Sequence, residues 1–136
     1  MTNATTEVQA SQFSIDRNHP GRWTITFNNP PINIFVPSTI VELGALMSEI
    51  EADSSVKVVV FQSANPDFFI AHLDVAKAVE RPDVLSLWRD FVLRLSSAPV
   101  VSIAKIRGRT RTRFDQAKPE IMQGDMIPLL ARSRTV

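Results

Sequence analysis

The sequence predicts an α/β fold, and three observations carry that prediction. Residues 12–16 and 22–27 alternate apolar and polar side chains on either side of a turn, as the two half-buried strands of a hairpin do. An amphipathic helix opening at Pro37 leads into the β-branched apolar run Val58, Val59, Val60 and Phe61. A second amphipathic helix, 84–96, leads into a second buried strand, 100–106. Strand, helix and strand in succession, met twice, are the crossover units of a parallel sheet.

Each element has a local reason. Asn18, His19, Pro20 and Gly21 form the turn of the hairpin, and Asn28, Asn29, Pro30 and Pro31 end its second strand, because proline cannot donate to the ladder. Pro37, Ser38 and Thr39 open the first helix, and Thr39 with Glu42 has capping-box spacing. Ile40, Leu43, Met47 and Ile50, flanked by Val41 and Leu46, form its core-facing stripe, with Glu42, Glu49 and Glu51 outside. Arg81, Pro82 and Asp83 cap the later helix, whose apolar face is Val84, Leu87, Trp88, Phe91, Val92 and Leu95. Ser97, Ala98 and Pro99 stop it.

The chain is organised around residues 56–75. The strand there breaks at the polar cluster 62–67, closed by Pro66, and re-enters apolar sequence at Phe68, Phe69, Ile70 and Ala71. It then turns at His72, Leu73 and Asp74 into a helix expected over 75–80. A strand, a loop and a new helix start leave backbone N–H groups unpaired where an oxygen with partial negative charge can be held.

With 136 residues and 44% hydrophobic side chains, one domain with a real core is expected, not disorder and not two domains. No cysteine is present, which excludes disulfides and thiolate chemistry. The N-terminus lacks the charged-then-apolar pattern of a signal peptide, and no apolar run reaches membrane-spanning length. A soluble cytoplasmic chain is therefore expected, with a flexible segment at 1–11. The net charge of +1 conceals an asymmetry. Residues 1–104 hold seven Lys/Arg against eleven Asp/Glu, a balance of −4, whereas 105–136 hold eight against three, a balance of +5. Beyond Gly108 the periodicity fails, up to a short apolar stretch at 127–130, and a basic irregular tail is expected over 109–136.

Taken together, the hairpin, the Asn-Pro turn, the capped helix, the 56–75 stretch and the segment 96–108 resemble the N-terminal half of the crotonase (enoyl-CoA hydratase/isomerase) superfamily. The likeness covers about residues 13–108. Its sharpest part is Phe69-Ile70-Ala71-His72-Leu73-Asp74, following a strand and a turn; next is Ala98-Pro99-Val100-Val101 leading to Ile106-Arg107-Gly108. The resemblance implies an incomplete crotonase-like spiral of ββα turns over 12–108 that binds acyl-coenzyme A. Its substrate would be the thioester, with no resident cofactor. In this family two backbone N–H groups hold the thioester oxygen as it becomes an enolate. The first donor would here be the N–H of Leu73, with Ala71, His72 and Asp74 lining the coenzyme.

Two departures stand out. His72 occupies a position where the family commonly has glycine. The family's second donor comes from a glycine-rich run opening a long helix, whereas Arg109-Thr110-Arg111-Thr112-Arg113-Phe114 has none. The expectation is a truncated relative with weak or no turnover. Lys118-Pro119-Glu120-Ile121 resembles the family's later Pro-Glu segment, which would make Glu120 an acid/base group. Alternatively the tail is foreign sequence after a change of reading frame, which the charge jump favours.

Duller readings compete at each residue. His72 could be an acid/base group because imidazole titrates near neutrality, yet a plain loop histidine is the commoner meaning. His72 with Asp67 and Asp74 is a thin ligand set, so no metal is expected. Asp74 reads as a residue of a helix N-terminus favoured by the dipole. Arg107, Arg109, Arg111 and Arg113 could face one way on an extended strand and meet phosphates, of coenzyme A or nucleic acid. This makes a small basic interaction module the alternative to a thioester site. Without interleaved aromatic residues a nucleic-acid partner is not expected. Self-association through apolar strand faces that half a core leaves bare is expected.

Overall fold

The computed structural model describes residues 11–108. The basic run from Arg109 onward, the 127–130 stretch and Glu120 lie outside the described residues, as do residues 1–10. Ser11 lies just inside them, donating its hydroxyl to the Phe13 carbonyl and to Glu42.

A four-stranded mixed sheet has the order β1-β2-β3-β4, the numbering following the chain. Strands β1 (Phe13–His19) and β2 (Arg22–Phe27) are the antiparallel hairpin. Helix α1 (Pro37–Ala52) carries the chain back so that β3 (Val58–Ser63) lies parallel to β2, with Trp23 opposite Val59 and Ile25 opposite Phe61. After the short helix α2 (Val75–Val79), helix α3 (Val84–Ser97) makes the second crossover, to β4 (Val101–Ala104) parallel to β3. The expected α/β fold with its N-terminal hairpin is the one observed.

Burial follows the strand alternation. Trp23, Ile25, Phe27, Val59 and Phe61 point to one face and are buried with Ile40, Leu43, Leu46, Met47 and Ile50 of α1 and Val84, Phe91, Val92 and Leu95 of α3. Phe27 is the aromatic centre, with Phe13, Phe35, Phe61 and Phe69 around it at centroid distances of 5.0–6.3 Å. Val41, grouped with the α1 stripe on sequence, is 45% exposed. No helix among the described residues is long and apolar enough to cross a membrane.

Several boundaries differ from expectation, each for a local reason. Strand β1 runs on to His19, since Pro20 and Gly21 alone make the turn; Gly21 takes the left-handed φ of 71° that a tight turn requires. The ladder is irregular between Asp16 and His19. Helix α1 starts at Pro37, whose fixed φ and missing N–H suit the first helical position. Thr39 is thus the third helical residue, not the cap: its hydroxyl accepts from the Val36 N–H at 3.4 Å, and Glu42 takes no part in a box. Asp83 gives α3 no side-chain cap, because Arg81 holds its carboxylate through two hydrogen bonds of 2.8 and 3.0 Å. Strand β4 is shorter than the expected 100–106, ending once the Lys105 N–H has met the Phe61 carbonyl at 2.8 Å.

Candidate functional site

The candidate site is the loop that leaves β3 at Ser63 and enters α2 at Val75. Its first half is wound about two polar side chains. The Ser63 hydroxyl accepts from the Asn65 N–H at 2.9 Å and lies 2.7 Å from the Phe68 carbonyl, to which it donates. Asn65 Oδ1 accepts from the N–H groups of Asp67 and Phe68, and its Nδ2 donates to the Pro31 carbonyl at 2.7 Å. This Asx turn turns the chain back on itself, so that Phe69 can enter the core.

The second half is laid against residues 33–35. The Ala71 N–H donates to the Asn33 carbonyl at 3.2 Å, the Phe35 N–H to the His72 carbonyl at 2.9 Å, and the Asp74 N–H to the Phe35 carbonyl at 2.7 Å. Phe35 and Leu73 therefore form an isolated parallel bridge. In a parallel bridge the residue bracketed by the two bonds turns its own N–H and C=O to the opposite side. Leu73 is that residue. Its side chain is buried, its carbonyl accepts from His72 Nδ1–H at 2.9 Å, and no acceptor among the described residues pairs with its N–H.

The other expected site residues take distinct places. Ala71 is buried and its amide is committed to Asn33. His72 is exposed; since a carbonyl can only accept, its bond to Leu73 puts the proton on Nδ1. The imidazole thus lies on the side of the bridge towards which the Leu73 amide points. Asp74 is the cap of α2, its carboxylate accepting from the Lys77 N–H at 3.1 Å, in keeping with its reading as a helix N-terminal residue. That helix has five residues, one short of expectation, and Asp74 already occupies its N-terminus. Little dipole is left to strengthen a donor there, so the Leu73 amide would act through its own hydrogen bond. Among the described residues no three His, Asp or Glu side chains gather as metal ligands would.

Two further residues complete the arrangement: Asn33, which sequence reasoning passed over, and Gly108, which it named only as the end of the Ile106-Arg107-Gly108 motif. Asn33 is 2% exposed, with φ at 55°. Its amide accepts from the Asn29 N–H at 2.7 Å and donates to Ser63 Oγ and to the Phe69 carbonyl. An asparagine between two isoleucines, just before a proline-led helix, was the available signal, since asparagine tolerates the left-handed region better than most residues. Gly108 is the other. It has φ 74°, and a Cβ placed on it would lie 2.4 Å from the Asp67 carbonyl. The chain leaving β4 is thereby pressed against the 66–67 backbone of the site loop.

The family model for enoyl-CoA hydratase/isomerase matches residues 19–112, more than half of the sequence. The chain belongs to this family. A search of curated proteins finds no match. Among solved structures, a candidate enoyl-CoA hydratase from Streptomyces avermitilis is 30% identical at a TM-score of 0.62, covering 72% of this chain and 39% of that one. The enoyl-CoA hydratase of Bacillus anthracis superposes at a TM-score of 0.65 with 21% identity, over 72% of this chain and 40% of that one. An enoyl-CoA hydratase/isomerase from Mycobacterium paratuberculosis matches at 0.60 with 20% identity, over 70% and 41%. The last two establish likeness of fold. The chain spans less than half the length of these structures.

Proposed function

We propose that this crotonase-family chain binds an acyl-coenzyme A thioester, with the carbonyl oxygen accepting from the N–H of Leu73. The observation that carries the reading is the Phe35–Leu73 bridge, which spends the His72 carbonyl and the Asp74 N–H on Phe35 and leaves the Leu73 N–H directed away from it. Removal of a proton α to the thioester moves charge onto the oxygen, so a fixed donor there is stronger in the enolate than in the ground state. In this reading Ala71 and Asp74 shape the path of the coenzyme, and the His72 imidazole borders the oxygen's position.

Turnover is weak or absent in this reading. Loss of one oxyanion donor costs about 10²–10³ in rate, and the run after Gly108 has no glycine segment to supply the second. Glu120, on its Pro-Glu resemblance, is the candidate acid/base group for residual activity. If crotonyl-CoA is hydrated at all, Glu120→Gln should abolish it.

Binding is tested by paired substitutions of Leu73. Leu73→Pro deletes the N–H while leaving Phe35's two partners, the His72 carbonyl and the Asp74 N–H, in place. Leu73→Ala keeps the amide and shortens the buried side chain. Calorimetric titration with acetyl-CoA should show affinity retained in Leu73→Ala and reduced about tenfold in Leu73→Pro, the worth of one hydrogen bond. Equal affinity in both variants, or no binding by the unmodified chain, would discard the proposal.

A further inference from the structure

We infer that Asn33 is the positioning residue for the candidate donor, setting the direction in which the Leu73 amide points. This role rests on the thioester reading of Leu73. Asn33 lies two residues before Phe35, the residue whose N–H and C=O bracket Leu73. It meets the site loop at two points upstream of that bracket: its side chain donates to the Phe69 carbonyl at 3.1 Å, and its own carbonyl accepts from the Ala71 N–H. Residues 69, 71, 72 and 74 of the loop are thus fastened in sequence to 33 and 35, and Leu73 is carried by them.

The side chain is fully spent in doing so. Its oxygen takes the Asn29 N–H, and its two amide hydrogens go to Ser63 Oγ and the Phe69 carbonyl. Only one orientation of the amide satisfies all three partners, because a backbone N–H must meet oxygen and a carbonyl must meet nitrogen. The Asn33 N–H closes the set by donating to the Asn29 carbonyl at 2.8 Å. The residue therefore joins the turn after β2, the end of β3 and the site loop. A buried network of this kind, with every member paired, has one geometry; a member lost leaves partners unsatisfied and the loop free to rotate. The left-handed backbone at Asn33 aims its carbonyl at Ala71 while keeping the side chain inside, which few other residues tolerate.

Three variants separate positioning from bulk stability. Asn33→Gly keeps the φ and deletes the side chain. Asn33→Asp keeps the φ and the acceptor for Asn29 but has no hydrogen for Phe69. Ser63→Ala removes one partner and leaves Asn33. Amide hydrogen exchange is read by NMR on the full chain, without ligand and then with acetyl-CoA. In Asn33→Gly, exchange at Phe35, Ala71 and Asp74 should rise about tenfold or more, with the β2 and β3 amides unchanged. The shift of the Leu73 amide on adding acetyl-CoA should shrink in step. Asn33→Asp and Ser63→Ala should fall between it and the unmodified chain. Unchanged exchange at the three loop amides, or an equal rise throughout the sheet, would overturn the inference. A Leu73 amide in the unmodified chain that ignores acetyl-CoA would sink the thioester reading and with it the donor role. The exchange comparison would still decide whether Asn33 holds the loop.

Discussion

Gly108 sits where a side chain has no room. A Cβ there would fall 2.4 Å from the Asp67 carbonyl carbon and oxygen and 2.7 Å from the Pro66 oxygen, all backbone atoms that cannot swing aside. The left-handed φ alone costs an L-residue about 1–2 kcal/mol, and displacing the 66–67 backbone adds to that. Gly108→Ala is expected to lower stability by about 2 kcal/mol or more in urea unfolding. It should also disturb the site loop before the rest of the molecule. A variant within about 0.5 kcal/mol of the parent would mean the contact relaxes without strain. Asn33 and Gly108 make the same point from two sides, since both sit at left-handed φ and both fix the loop that carries Leu73. Neither announces itself by hydrophobic pattern or charge. Their importance comes from residues thirty or more positions away in sequence, which a linear reading does not bring into view.

Between helices, the Arg94 side chain is the main polar tie of α1 to α3. Its guanidinium donates to both Glu51 oxygens, at 2.7 and 3.0 Å, and to Ser48 Oγ at 2.9 Å, with Asp90 one turn back at 3.5 Å. The Arg94 hydrogen bonds hold the Glu51 carboxyl below its ordinary value, and Glu51 in turn raises that of Arg94. Because the folded Glu51 binds its proton less readily than the unfolded one, the contribution is present above the ordinary carboxylate range and is lost as pH falls through the folded value. Asp83, lowered by Arg81, and Asp53, lowered by Ser55, titrate in the same direction. Stability should therefore decline between about pH 5 and pH 3, and Glu51→Gln should make that decline shallower. An identical pH slope in the variant would show the bridge contributing nothing, a fair outcome for a pair so open to solvent. The element boundaries teach a related lesson. Apolar periodicity located all but one of the seven elements, β1 to β4, α1 and α3, and the Asp74 turn located α2. The details went to competition for partners: Arg81 took the Asp83 carboxylate and Pro37 pre-empted Thr39, neither of which spacing alone reveals.

At the scale of the whole molecule, the described residues cover the sheet on one face. On the other, Arg22 of β2 is exposed and Thr24 and Thr26 partly so, but Val58 and Val60 adjoin Val101 and Ile103 of β4 in register, and the last two are 46% and 44% exposed. Strand β4 has a single neighbour among the described strands, and its exposed Val101 and Ile103 side chains extend the apolar strip to that side of the sheet. Self-association is expected, visible in sedimentation velocity as species heavier than a monomer. Val101→Lys with Ile103→Lys should shift the distribution to the monomer. A parent chain that already sediments as one monodisperse monomer would contradict this.

What the order of residues settled was the fold class and the family. Alternation of period two, stripes of helical period and the Phe-x-Ala-x-x-Asp stretch are local properties, and local chemistry suffices to write them. What only the folded chain decided was the direction of a single amide. The Leu73 N–H faces outward because Phe35, nearly forty residues earlier, spends both its backbone groups on His72 and Asp74. Backbone amides are identical in every residue, so nothing in a side-chain alphabet marks which way a given N–H will face; only the pairing of distant segments does.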